Sequence, residues 1–120
     1  AGYDTGYVGK WHMGNNAKPG FGYRWTYTQM NSSYQNPRVS VNGEEKQEQG
    51  YMTEIMTRAA CEFLDQQKAD KPFFLTVSYF NPHVPLEGHP QKYYDMFANT
   101  TFDSVGWEPA APNALREKEY

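Results

Sequence analysis

Cysteine is almost absent from this chain of 120 residues, with Cys61 as its single thiol. That excludes an internal disulfide framework and any cysteine-built metal site. Cys61 lies in Ala59-Ala60-Cys61-Glu62-Phe63, with no basic neighbour in sequence to lower its pKa, and reads as a small apolar helix residue rather than a reactive thiol. Long apolar runs are also missing: none approaches the length of a membrane span, and no signal peptide is visible. Positive charge is in deficit, with 11 Lys and Arg against 14 Asp and Glu, for a formal net charge of -3. A nucleic acid or an anionic membrane would demand a basic surface, so neither is expected as a partner, and any anion bound here must be caught by a local pocket. There is no internal repeat or low-complexity tract. Localisation and oligomeric state are open at this level.

The most informative stretch is Gly2-Tyr3-Asp4-Thr5-Gly6-Tyr7-Val8-Gly9-Lys10-Trp11-His12-Met13-Gly14. Tyr3 to Val8 predicts a short strand, and Gly6, Gly9 and Gly14 supply bends that β-branched residues could not. Lys10 and His12 fall at the carboxyl end of that strand, where α/β sheets bind their ligands. Period-2 alternation would point both the same way. A cation and a titratable imidazole so placed are candidates for holding an anion.

The rest of the chain reads as an α/β unit. Asn15 to Gly50 has no clean period, and a hairpin is expected inside it around Arg38-Val39-Ser40-Val41, with Asn42-Gly43 as the turn. Met52, Ile55, Met56, Ala59, Ala60, Phe63 and Leu64 recur at i, i+3, i+4, i+7 and i+8, which predicts one apolar stripe on a helix running to about Lys68. Thr53 is its expected N-cap, and Pro72 stops the pattern. Pro72 to Tyr79 is nearly all apolar, as in a strand buried on both faces of a parallel sheet. Asn81-Pro82-His83-Val84-Pro85 follows, so His83 also falls at a strand's carboxyl end and both motifs converge on one edge. Pro90 to Phe97 reads as a short helix burying Tyr93, Tyr94 and Phe97, and residues 98–120 as loop.

The first stretch, GY-x-TG-x-x-GKWH-x-G, resembles the second signature of the sulfatase family. Lys71-Pro72-Phe73-Phe74-Leu75, leading through Pro82-His83-Val84-Pro85, is similar to that family's KPFFL strand and PH-x-P loop. Pro19-Gly20-Phe21-Gly22 and Gly50-Tyr51-x-Thr53 occur between them in the family's order. Two blocks in register are far more specific than either alone. The resemblance covers roughly residues 1–97 and implies an alkaline-phosphatase-like α/β/α sandwich with a mainly parallel central sheet. Such folds are much larger than this chain, so the sequence is expected to be an internal fragment of the catalytic domain.

The resemblance further implies hydrolysis of a sulfate ester through a formylglycine nucleophile and a divalent cation, usually calcium, both supplied from outside this segment. Cys61 has no Pro-Ser-Arg after it and is not the formylglycine precursor. By the same resemblance Lys10 would contact the sulfate and the nucleophile, His12 would act on the formylglycine hydroxyl, and His83 would bind the substrate sulfate. Fixed cations and donors suit that chemistry because negative charge gathers on the sulfate and leaving oxygens. The implied partner is a small-molecule or glycan sulfate ester, and the implied compartment periplasmic, secreted or lysosomal. The segment alone is expected to be inactive. Two alternatives stay open: a non-catalytic sulfatase-like protein binding sulfated glycans, and a phosphate or phosphonate monoester hydrolase of the same superfamily.

Several residues take plainer readings. His89 reads as a loop residue, and Trp11 as a packing wall for the site. Asp4, Glu44, Glu45 and Glu48 read as solvated loop carboxylates rather than metal ligands. The aromatics from Tyr23 to Tyr34 suit either stacking on sugar rings or core packing. Asn31-Ser32-Ser33 and Asn99-Thr100-Thr101 fit the glycosylation sequon, at a frequency chance alone would give.

Overall fold

In strand β1 (Asp4–Lys10) Gly6 and Gly9 flank Tyr7 and Val8, leaving room for close packing. A Cβ on Gly6 would lie 2.8 Å from the Phe63 ring and 2.9 Å from Leu75, so the bare backbone is what lets a helix and the neighbouring strand close in. The structure is a computed structural model that describes residues 2–12, 20–27 and 34–101. Its other elements are β2 (Tyr23–Tyr27), β3 (Arg38–Val41), β4 (Glu44–Gln47), α1 (Met52–Asp65), β5 (Phe73–Ser78) and α2 (Gln91–Asp95). Residues 1–90 form one compact unit and 91–120 a second.

The strand order is β4-β3-β2-β1-β5. β1 pairs in parallel with β2, Val8 opposite Trp25, and with β5, Val8 opposite Val77. β3 and β4 extend the sheet antiparallel. This agrees with the α/β expectation: β2, β1 and β5 form a parallel trio on one side of the sheet, and α1 leads into β5. The expected hairpin is present, and Asn42 and Gly43 both have positive φ, 54° and 98°. Such a turn matches the twist of its flanking strands.

The core lies between α1 and one sheet face. Val8, Trp25, Tyr27 and Val39 come from the sheet, Met52, Ile55, Met56, Ala59 and Ala60 from the helix, and Tyr34, Tyr51 and Phe80 from the segments between elements. Tyr23, Trp25 and Tyr27 alternate with Arg24 and Thr26 along β2, and the buried ones pack as core. The aromatic segment resolves as packing where it is described; residues 28–33, with Asn31-Ser32-Ser33, lie outside the described residues.

Several expectations need correction. Thr53 is not the N-cap; Tyr51 occupies that position with extended backbone and no side-chain cap bond. The Met52 N–H is met instead by the Tyr34 carbonyl at 2.8 Å, a tertiary bond replacing a local cap. The helix ends at Asp65 rather than Lys68, because Gln66 and Gln67 donate to Phe63 and Leu64 in tighter i→i−3 bonds. β5 is not buried on both faces: it stands at an end of the described sheet, with Phe73 and Phe74 46% and 54% exposed. The α2 helix buries none of Tyr93, Tyr94 and Phe97, since five residues make little more than one turn and no stripe. Glu44 and Glu45 belong to strand β4, exposed, rather than to a loop. Leu64, counted in the apolar stripe, is likewise exposed, as is Cys61 on α1. Of residues 98–120, only 98–101 are described, as turn and coil.

Candidate functional site

Lys10 is the last residue of β1, delivered to its place by Gly9. Gly9 has φ +130°, and a Cβ there would lie 2.0 Å from the Ser78 carbonyl oxygen of β5, so only glycine allows the two strand ends to meet this closely. The Tyr7 hydroxyl donates to the Lys10 carbonyl and holds the strand's end. Lys10 is on the same side of β1 as Val8 and the helix, two residues along. Its Nζ sits 4.8 Å from the centre of the Phe80 ring, a cation–π contact that steers the ammonium without neutralising it.

Phe80 closes the segment after β5 and is 5% exposed. Tyr27 and Tyr34 pack on it with ring centres at 5.6 and 5.3 Å. The His83 imidazole stacks on the same ring at 4.6 Å and 28°. Lys10 and His83, far apart in sequence, are thus brought together on one apolar floor. The His83 N–H bonds the Phe80 carbonyl at 3.0 Å and the Tyr34 hydroxyl donates to the His83 carbonyl. His83 Nδ1 is 2.8 Å from the Val84 carbonyl. A carbonyl only accepts, so Nδ1 carries the proton, and Nε2 is the nitrogen left to face a ligand. The Asn81–Pro82 and Val84–Pro85 bonds of this loop are both cis.

His12 does not share this arrangement by the route expected. β1 stops at Lys10, so strand alternation no longer aligns the two side chains, and His12 stands exposed beyond the strand end. Trp11 packs edge-on against Tyr7 at 5.0 Å, bracing the residue whose hydroxyl holds the Lys10 carbonyl.

Sequence reasoning missed four residues. Phe80 falls just past the expected strand, Tyr34 is one of the aromatics that suit either sugar stacking or core packing, Tyr51 occurs only in the Gly50-Tyr51-x-Thr53 block, and His89 reads as a loop residue. In the structure the Tyr51 hydroxyl lies 2.9 Å from His89 Nδ1, and the His89 ring is 4.3 Å from that of Tyr34. The only signal was aromatic enrichment on either side of the two motifs. Burial, followed by the nearby phenols of Tyr51 and Tyr27, pushes the Tyr34 phenol up to about 12, so it stays a donor at any physiological pH.

Among the described residues no group of three or more His, Cys, Asp or Glu side chains is placed to hold a metal ion. Asp4 pairs with Lys71, and Glu48 with Lys46 at 2.6 Å and Arg58 at 3.4 Å. The described residues therefore do not fit the calcium that the resemblance implies, nor does Cys61, exposed on α1, fit its nucleophile.

Comparison with known proteins gives this geometry its family. The model of the sulfatase family matches residues 1–113. A putative extracellular sulfatase Sulf-1 homolog of Caenorhabditis elegans is 33% identical over 124 residues, covering 94% of this chain and 17% of its own length. An N-acetylglucosamine-6-O-sulfatase of Bacteroides thetaiotaomicron is 31% identical over 105 residues, covering 85% and 18%. The chain thus spans less than a fifth of either relative. A protein solved in complex with its substrate D-glucosamine-2-N,6-O-disulfate superposes with a TM-score of 0.73 at 29% identity, over 91% of this chain and 21% of that one. Another, solved with a neocarrahexaose, gives 0.70 at 26% identity, over 85% and 29%. With both motifs in register, an α/β sheet of the alkaline-phosphatase-like kind and a family model covering nearly its whole length, the chain belongs to the sulfatase family.

Proposed function

We propose that this chain forms the anion-binding side of a sulfate ester hydrolase, with Lys10 and His83 as the groups that meet the sulfate. The observation that carries the reading is the shared Phe80 floor, which sets an ammonium and an imidazole around one ring. Two donors near an apolar, partly water-excluded surface stabilise charge on sulfate oxygens more strongly than the same groups would in bulk water. Lys10 binds a nonbridging oxygen as a point charge. His83, its Nδ1 proton committed to the Val84 carbonyl, meets the ester through Nε2 and donates there when protonated. His12 serves as the proton partner near the leaving or attacking oxygen. Calcium and the formylglycine nucleophile, supplied by other segments, belong to the same reading.

The substrate we propose is a 6-O-sulfated glucosamine unit of a glycan, handled outside the cytoplasm. Support comes from the names of the relatives, extracellular sulfatases and N-acetylglucosamine-6-sulfatases among them. No helix among the described residues is long and apolar enough to cross a membrane.

The test is sulfate release from glucosamine 6-sulfate by the protein carrying this chain, alongside its Lys10→Ala and His83→Ala variants. Each variant is expected to lose about a hundredfold or more in kcat/KM, the usual cost of removing one preorganised donor. Unchanged turnover in Lys10→Ala would sink the assignment. Binding of the sulfated sugar without release by the unmodified protein would favour the non-catalytic glycan binder.

A further inference from the structure

The loop that carries His83 is fastened at both ends to one atom. At its start, Asn81 Nδ2 donates to the Tyr51 hydroxyl oxygen at 3.2 Å, while Asn81 Oδ1 accepts from the Thr53 hydroxyl at 2.6 Å. At its end, His89 Nδ1 lies 2.9 Å from that same Tyr51 oxygen. Thr53 donates to Asn81 and Asn81 to Tyr51, and one hydrogen is shared between the Tyr51 oxygen and His89 Nδ1, from the hydroxyl or from the imidazole according to the His89 tautomer. Tyr51 itself is anchored: its ring is 7% exposed, and its carbonyl accepts from the Ile55 N–H at 3.1 Å in the first turn of α1. Gln35 adds a further tie, from Nε2 to the Gly88 carbonyl at 3.0 Å.

We propose that Tyr51 is a positioning residue for His83, its hydroxyl acting as a staple that closes the Asn81–His89 loop and holds the imidazole against Phe80. A loop tied only at its middle, by Tyr34 on the His83 carbonyl, would still let both arms swing. Closing the arms on a rigid helix start removes that freedom before a ligand arrives, which is how preorganisation raises affinity without a new ligand contact. The closure of the loop stands on the hydrogen bonds alone; its consequence for sulfate rests on the proposed function.

The experiment compares the protein carrying this chain with its Tyr51→Phe variant, which keeps the buried ring and deletes the hydroxyl. Deuterium uptake of the peptide spanning Asn81–His89 is expected to quicken about tenfold, the worth of one or two such bonds, with exchange in α1 unchanged. In a titration with glucosamine 6-sulfate, the His83 ring resonance should need roughly tenfold more sugar to shift. Because a packing defect could mimic the effect, His89→Ala opens the staple from its other end. His89→Gln, whose amide can donate to or accept from the Tyr51 hydroxyl, should restore both readouts. Uptake in Tyr51→Phe and His89→Ala that matches the unmodified protein overturns the proposal. Faster uptake with no response of the unmodified protein to sulfated sugar leaves the staple standing and overturns the sulfate reading instead.

Discussion

Tyr34 concentrates several roles in a single side chain. It is fully buried, its ring packs on Phe80, Tyr51 and His89, and its hydroxyl donates to the His83 carbonyl. Its phenol, ordinarily near 10, is held up to about 12, chiefly by burial. Below pH 10 both folded and unfolded chains keep that proton, and folding is indifferent to pH on its account. Between 10 and about 12 the unfolded chain releases the proton while the folded one retains it, so stability falls as pH rises. Urea unfolding across that window should show the decline, and Tyr34→Phe should remove this component of it. Lys10, His12 and His83 stood out as candidates in the sequence because a polar residue inside a motif draws attention to chemistry, and of these Lys10 and His83 meet at the Phe80 ring. Phe80, Tyr34 and Tyr51 were not, since an aromatic that will orient a neighbour looks the same, written out, as one that only fills space.

Among the elements, α1 shows best what periodicity can and cannot say. The stripe from Met52 to Phe63 is buried as spacing demands, but Leu64 is exposed because it adds a position beyond the face that meets the sheet. Phe63 lies against Gly6 and Leu75, with its ring 5.7 Å from Tyr23 and 6.3 Å from Phe73. Phe63→Ala should therefore cost about 3–5 kcal/mol in urea unfolding, and Leu64→Ala under about 1 kcal/mol, since one vacates a packed site and the other does not. The helix start was misread for a different reason: its first amide is satisfied by Tyr34, a partner no local window contains. β5 was misread because an apolar run reveals a strand without saying how many of its faces are covered. The hairpin was legible since Asn42-Gly43 states its own turn geometry.

At the scale of the molecule, the parallel pairing of β1 with β5 was foreseeable from strand, helix and strand in that order, whereas β2 and the antiparallel extension through β4 lie in a segment without clean period. If the Lys10 and His83 site takes up sulfate, glucosamine 6-sulfate should stabilise the whole fold by mass action, about 2.7 kcal/mol at a hundred times Kd. Thermal unfolding with the sugar against an equal ionic strength of chloride would show it as a rise in Tm, absent in Lys10→Ala. The parallel pairing of β1 with β5 has a wider bearing. Lys10 ends β1 and Phe80 follows β5 by two residues, and the two strands lie side by side, so the spacing between the Lys10 ammonium and the ring on which His83 stacks is set by the ladder and not by the length of chain joining them. If the site takes up sulfate as proposed, the intervening loops are free to lengthen, shrink or change composition over evolutionary time, retuning which sugar is admitted while the Lys10 end of the site is inherited intact.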